Sequence, residues 1–209
     1  MIQDRKKRKV HFRESQVWRV LIETVYGLRS LHEVKVMHRD IKSANIFLNR
    51  NSAVSQQQPD GGNLYQAKLG DMNVSKVTGN RGLNYTQTGT PYYASPEVWR
   101  DEPYGFKSDV WSLGCVIYEM LALKPPFSGK DMDQLFKRVC KGQLSRIPDH
   151  YSNDIWQVVQ LMIRVDPSLR PDTNELIRSK LFQVYSEKLT SLDSVDKSFT
   201  DTLERQSPR

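Results

Sequence analysis

Cysteine is scarce: Cys115 and Cys140 are the only two among 209 residues. Neither has a partner at disulfide-framework or zinc-module spacing, so both read as buried or half-buried thiols of a reducing compartment. Long apolar runs are also missing, which argues against a bilayer span. The longest, around Leu113 to Leu123, contains Glu119 and reads as a core helix. Met1-Ile2-Gln3-Asp4, followed by five basic residues, has no apolar segment of the kind a secretory signal needs. Acidic residues are fewer than basic ones, giving a net charge of +7. That balance favours phosphates and acidic partners, yet it is too mild to argue nucleic-acid binding, and no zinc-finger or RNP-type motif supports that option. No cluster of His and Glu is present to activate a water, which leaves a metal-dependent hydrolase without its chemistry. The length allows one domain with a sizeable core.

Against these absences stands Val36-Met37-His38-Arg39-Asp40-Ile41-Lys42-Ser43-Ala44-Asn45-Ile46-Phe47-Leu48. It places an acid, an amine and an amide within six residues, ahead of an apolar run. His-Arg-Asp, with an Asn five residues after the Asp, resembles the catalytic loop of protein kinases. Phosphoryl transfer needs an acceptor for the substrate hydroxyl proton, a cation near the moving phosphate and oxygen ligands for magnesium. Asp40 fits the base, Lys42 the cation and Asn45 a neutral oxygen ligand. A Lys two residues after the Asp resembles the serine/threonine class. A solvated loop is the bland alternative, and four further matches in order argue against it. Gly70-Asp71-Met72-Asn73 stands where the family has its magnesium-binding Asp-Phe-Gly. Gly89-Thr90-Pro91-Tyr92-Tyr93-Ala94-Ser95-Pro96-Glu97 resembles the end of the activation loop. Lys107-Ser108-Asp109-Val110-Trp111-Ser112-Leu113-Gly114 resembles the start of the large buried helix of the lower lobe. Asp166-Pro167-Ser168-Leu169-Arg170-Pro171 resembles the turn whose Arg pairs with the Glu of Pro-Glu.

In chain order, Arg5 to Lys9 is a basic run that fits a nuclear signal or a contact with an acidic partner, with a solvated helix end or loop as the favoured reading. Val17, Leu21, Val25, Leu28 and Leu31 recur at three and four residues and predict an amphipathic helix over Glu14–His32. Ile46-Phe47-Leu48 reads as a short buried strand; the resemblance makes Phe47 the floor beneath an adenine ring. Residues 49–67 are polar, with a Gln56-Gln57-Gln58-Pro59 tract, and predict a mobile insertion at a hairpin tip. Ala67 to Asp71 is the returning strand. By resemblance, Asp71 is the main magnesium ligand, with Met72-Asn73 in place of Phe-Gly; Asn tolerates left-handed backbone less well than Gly. Residues 74–90 form the expected activation loop, with Ser75, Tyr85, Thr86 and Thr88 as hydroxyl candidates. Phosphate on Thr86 is expected to pair with Arg39 and order the loop. Thr90 resembles the threonine that bonds the catalytic Asp and Lys.

The pattern around Val110, Leu113, Gly114, Ile117, Met120 and Leu121 predicts a buried helix from Ser108 to Leu123, stopped by Lys124-Pro125-Pro126. Asp109 at its start is expected to brace the backbone and side chain of His38. Shorter helices are predicted over Met132–Cys140, after a Ser152 cap, and from a capping box at Asp172 and Glu175 to about Tyr185. Glu97 and Arg170 are expected to form a buried ion pair. Residues 1–185 thus resemble a protein kinase lower lobe, an α+β fold that is mainly helical with a small β-hairpin, and residues 186–209 read as a polar tail.

The wording of the 37–48 stretch, with Leu69-Gly70-Asp71 and residues 89–97, is similar to the NIMA-related (NEK) kinases. The resemblance implies ATP and Mg2+ as cofactors, protein substrates with Ser or Thr acceptors, a cytoplasmic location, and microtubule, centrosomal or ciliary partners, with neither nucleic acid nor membrane insertion. A Gly-rich loop over the phosphates, a strand Lys and its Glu partner are missing from the sequence, so the upper β-lobe is expected to be absent. Gly79-Asn80-Arg81-Gly82 is no substitute. Two readings follow: a piece of an active serine/threonine kinase, inactive alone, or a short kinase-like binding or scaffold module. The intact set Asp40, Lys42, Asn45 and Asp71 favours the first.

Overall fold

The structure, a computed structural model, describes residues 1–50, 65–71 and 91–191. The basic segment coils into α1 (Ile2–Arg8), which ends at Lys9 in the left-handed conformation with φ 54°. It leads into α2 (Glu14–Glu33). The three-and-four spacing read along α2 is its buried face: Val17, Leu21, Val25 and Leu28 are all fully inaccessible. Gln16 Oε1 accepts from the Arg13 N–H at 3.2 Å and closes one of the unpaired donors of the first turn.

A 3-10 turn over Ser43–Asn45 delivers the chain to β1 (Ile46–Arg50), which pairs antiparallel with β2 (Tyr65–Leu69), Ile46 opposite Leu69 and Leu48 opposite Ala67. Alternation along a strand sends these four side chains to one face and Phe47 and Lys68 to the other. The first face lies on α2, where Ala67 is buried, Leu69 sits over Gly27, and the Ala67 N–H donates to Glu23 Oε2 at 2.5 Å. β1 is therefore not the buried strand the sequence predicts. With two strands among the described residues and one face covered, Phe47 keeps 52% of its surface exposed.

Pro96 opens the short α3 (Pro96–Trp99), a position where its missing N–H costs no helical bond. The central α4 spans Phe106–Ala122 and is buried on almost every side. It starts two residues earlier than predicted. It stops at Leu123, whose left-handed backbone, φ 54°, turns the chain before Pro125 is reached. α5 (Met132–Lys141) is capped by Asp131, which accepts from Gln134 N at 2.8 Å, and ends at Gly142 with φ 65°. α6 (Asn153–Met162) has Ser152 as its N-cap. α7 (Thr173–Arg178) opens on the reciprocal pair Asp172 and Glu175, both bonds 2.7 Å. The last predicted helix is in fact two. Ser179 leaves the helical region at ψ 141°, and its hydroxyl accepts from Phe182 N at 3.4 Å to start α8 (residues 180–191). The expected boundary near 185 falls inside α8, where the Tyr185 ring stacks on Trp18 at 3.9 Å and Leu189 is buried.

α2 and α4 cross in the centre of one continuous apolar cluster, with α6 on α4 and α7 on α2. The entry to α2 is fastened to a distant loop. Tyr151 Oη donates to the Phe12 carbonyl at 2.8 Å, and Ser152 donates from N and Oγ to the Glu14 carboxylate at 2.7 and 2.5 Å. Cys115 is fully buried, which pushes its thiol pKa up and leaves it unreactive. No helix among the described residues is long and apolar enough to cross a membrane.

Candidate active site

Residues 36–42 run from the end of α2 to the 3-10 turn without regular structure, so side chains and tethers must shape them. The first tether comes from α4. Asp109, 2% exposed, accepts from the His38 N–H and the Arg39 N–H, each at 2.9 Å, one bond per carboxylate oxygen. His32, on the last turn of α2, is a third donor, with Nε2 3.0 Å from Oδ2. Asp109 thus holds the loop backbone, whereas the His38 side chain is not its partner, contrary to the sequence expectation. His38 points instead to the hairpin. Its Nε2 lies 3.2 Å from the Gly70 carbonyl, and its Nδ1 accepts from the Asp40 N–H at 3.4 Å. A neutral ring with its proton on Nε2 satisfies both contacts. The reason for the difference is that both ring nitrogens of His38 are already engaged, by the Gly70 carbonyl and the Asp40 N–H.

The loop then closes on itself. Lys42 Nζ lies 2.8 Å from Asp40 Oδ2. Asn45 Nδ2 donates to the Asp40 carbonyl at 2.8 Å and to Asp40 Oδ2 at 3.1 Å. Those two acceptors fix which end of the Asn45 amide faces Asp40, because only the NH2 end can donate. Asp71 follows Gly70, whose N–H donates to the Asn45 carbonyl at 3.0 Å and whose own carbonyl meets His38. Asp40, Lys42 and Asn45 therefore form one bonded group, and Asp71 is joined to it through both backbone groups of Gly70. Arg39 and Asp71 both take positive φ, 65° and 56°, a conformation that non-glycine residues hold only where the surroundings enforce it. Phe47 flanks the same place. Its ring packs so closely on Gly70 that a Cβ there would come within 2.7 Å of it. Thr86, Thr88 and Thr90, with Met72 and Asn73, lie outside the described residues.

A second group joins α3 to the core. Glu97 and Arg170, 3% and 1% exposed, meet fork to fork with both N···O distances 2.6 Å. Arg170 gives its remaining N–H groups to the carbonyls of Arg164, Lys107 and Val165, and its guanidinium lies 5.0 Å above the Trp111 ring. All five donors have acceptors, which is what makes a buried guanidinium tolerable. Burial pushes the Glu97 carboxyl up, but the bonds from Arg170 and from Ser108 Oγ outweigh it and hold the pKa below its ordinary 4.5.

Three participants, Tyr93, Glu119 and the His32 described above, were not legible in the sequence. Tyr93 Oη donates to Glu119 Oε2 at 2.6 Å and lies 3.0 Å from Ser43 Oγ, linking the loop between Lys42 and Asn45 to α4. Burial, and then the Glu119 bond, push the Tyr93 hydroxyl pKa up, so it stays protonated. The only local signal was Glu119 standing inside an apolar run. Hard oxygen donors, one carboxylate at Asp71 and one amide at Asn45, suit a magnesium ion that takes one or two protein ligands and completes its shell with phosphates. No cluster of three or more His, Cys, Asp or Glu able to hold a metal exists among the described residues.

The protein kinase domain model matches residues 1–182. Among curated proteins, the chain is 34% identical over 199 residues to the human serine/threonine-protein kinase Nek5, covering 95% of this chain and 26% of that protein. It is 38% identical over 175 residues to mouse Nek5, covering 83% and 26%. It is 34% identical over 205 residues to the probable serine/threonine-protein kinase nek2 of Dictyostelium discoideum, covering 92% and 46%. The chain thus spans between a quarter and a half of the length of these relatives. A helical body whose described residues include one hairpin, a bonded Asp-Lys-Asn group and the match over residues 1–182 lead to one conclusion: the chain belongs to the protein kinase domain family, and the curated proteins it resembles are NEK-type serine/threonine kinases.

Proposed function

We propose that this chain supplies the base, metal-holding and substrate side of a serine/threonine protein kinase, which moves the γ-phosphate of ATP to a protein hydroxyl. The observation that carries the reading is the Asp40 carboxylate, gripped by Lys42 Nζ at 2.8 Å and Asn45 Nδ2 at 3.1 Å beside the Gly70-Asp71 turn. Asp40 accepts the proton of the Ser or Thr hydroxyl as that oxygen bonds to the γ-phosphorus and the bond to the β-phosphate oxygen breaks, releasing ADP. Lys42 places a positive charge beside the moving phosphate. Asn45 Oδ1 and Asp71 would hold magnesium, which neutralises phosphate charge when bound. Phe47 offers its open ring face to adenine. Arg39 is the cation for phosphate on Thr86 or Thr88. His38, Asp109, Glu97 and Arg170 hold the geometry.

The test uses the chain and the polypeptide translated from its complete reading frame, with radiolabelled ATP and a Ser/Thr peptide. Asp40→Asn should lower transfer by at least about 100-fold with the fold intact. Undiminished transfer by that variant overturns the proposal. The cytoplasmic location and the microtubule, centrosomal or ciliary partners are part of the same proposal, supported by likeness to NEK-type kinases alone; imaging of the tagged protein checks them.

A further inference from the structure

The five cations Arg5-Lys6-Lys7-Arg8-Lys9 are absorbed by nothing in the proposed chemistry. We propose that α1 is a docking site for an acidic polypeptide segment, with Lys6, Lys7 and Lys9 as the contacting residues. Only part of the run serves the fold. Arg5 Nη1 donates to the His11 carbonyl at 3.1 Å, and its guanidinium lies 5.0 Å over the Phe12 ring. Arg8 sits 3.7 Å from Asp4 in an open pair. Lys6, Lys7 and Lys9 are exposed and have no ion pair recorded among the described residues. At the end of α1, Lys9 N on Lys6 O at 3.2 Å and Val10 N on Arg5 O at 3.0 Å close two of the last four carbonyls.

The run is also presented on a firm base. His11 Nδ1 donates to the Leu121 carbonyl at 3.0 Å, and Tyr151 Oη donates to the Phe12 carbonyl at 2.8 Å, so the C-terminal end of α1 rides on the core. Membrane lipid is a poor fit, because Ile2 packs against the core and α1 has no apolar face to insert. Single-stranded nucleic acid needs exposed rings to stack on, and Phe12 is buried while α1 carries no ring. Carboxylates on an extended peptide fit better: α1 is about 10 Å long, and three or four extended residues cover about that distance. Exposed pairs of this kind are screened by salt, so the binding is ionic-strength dependent.

Fluorescence anisotropy of a labelled oligo-glutamate peptide, titrated with the intact chain at low and physiological salt, tests this. Binding that weakens with salt, and falls at least about tenfold in a Lys6→Glu/Lys7→Glu/Lys9→Glu variant, is expected. A Lys→Gln triple variant at the same positions should show an intermediate loss, and circular dichroism checks that both fold. Reversal of the exposed Lys130, Lys141 and Lys180 makes the same change in net charge and should leave affinity within about twofold. Equal losses in the two triple reversals, no binding at about 1 mM chain, or tighter binding of a duplex oligonucleotide or anionic vesicles than of the peptide would each overturn the proposal. None of these readouts depends on phosphate transfer.

Discussion

Glu97 is a carboxylate that the fold needs charged. Its pKa is lowered below 4.5, so its contribution to stability is fully present above that value and is lost as pH falls through the lower, folded one. Urea midpoints taken from about pH 7 down to about pH 3 should fall for the native chain more steeply than for Glu97→Gln. At neutral pH that variant, which leaves Arg170 buried without its counter-charge, should be about 3–5 kcal/mol less stable. Tyr93→Phe keeps the ring and removes only the hydroxyl that joins Ser43 to Glu119, so a loss of about 1–3 kcal/mol is expected in the same measurement. Both groups show what a sequence does and does not display at this scale. Glu97 and Arg170 were readable because each stands in a short motif of its own. Tyr93, Glu119 and His32 were not, because their bonds join positions 26, 50 and 77 residues apart with no local spacing to mark them.

The helices follow the patterns that announce them wherever the signal is local. The Asp172 and Glu175 pair, the Ser152 cap and the apolar spacing of α2 all depend on residues within one or two turns, and each sits where its pattern puts it. The break at Ser179 was missed, since its extended backbone divides the last predicted helix, whereas the expected end of α4 at Leu123 falls on its C-cap. The buried strand was misread because an apolar run of three cannot reveal how many layers will cover it; one face of β1 meets α2 and the other does not. The α4 and α6 crossing carries a prediction of its own. A Cβ on Gly114 would lie 2.9 Å from both Met162 Cβ and Ile163 Cγ1, so the helices touch through that missing side chain. Gly114→Ala should lower stability by about 1–3 kcal/mol with the denaturant slope unchanged. Gly105→Ala, with no atom within 4 Å, should change it by less than about 1 kcal/mol.

Across the whole molecule, the described residues bury one core and leave one aromatic surface open beside the bonded Asp40 group. Phe47 at 52% exposure does little for the fold. Phe47→Ala should therefore change stability by less than about 0.5 kcal/mol in urea unfolding, while isothermal titration should show nucleotide affinity falling by about tenfold in the polypeptide from the complete reading frame. A variant that loses stability and keeps affinity would assign Phe47 to the core instead. The fastening of Phe12 and Glu14 to Tyr151 and Ser152 spans 139 and 138 residues. A ribosome makes the N-terminal half of each bond long before the other, and the Tyr185 ring that stacks on Trp18 comes later still. Nascent chains halted short of residue 150 would hold Trp18 uncovered at one end of α2, a surface for chaperones to shield until synthesis catches up.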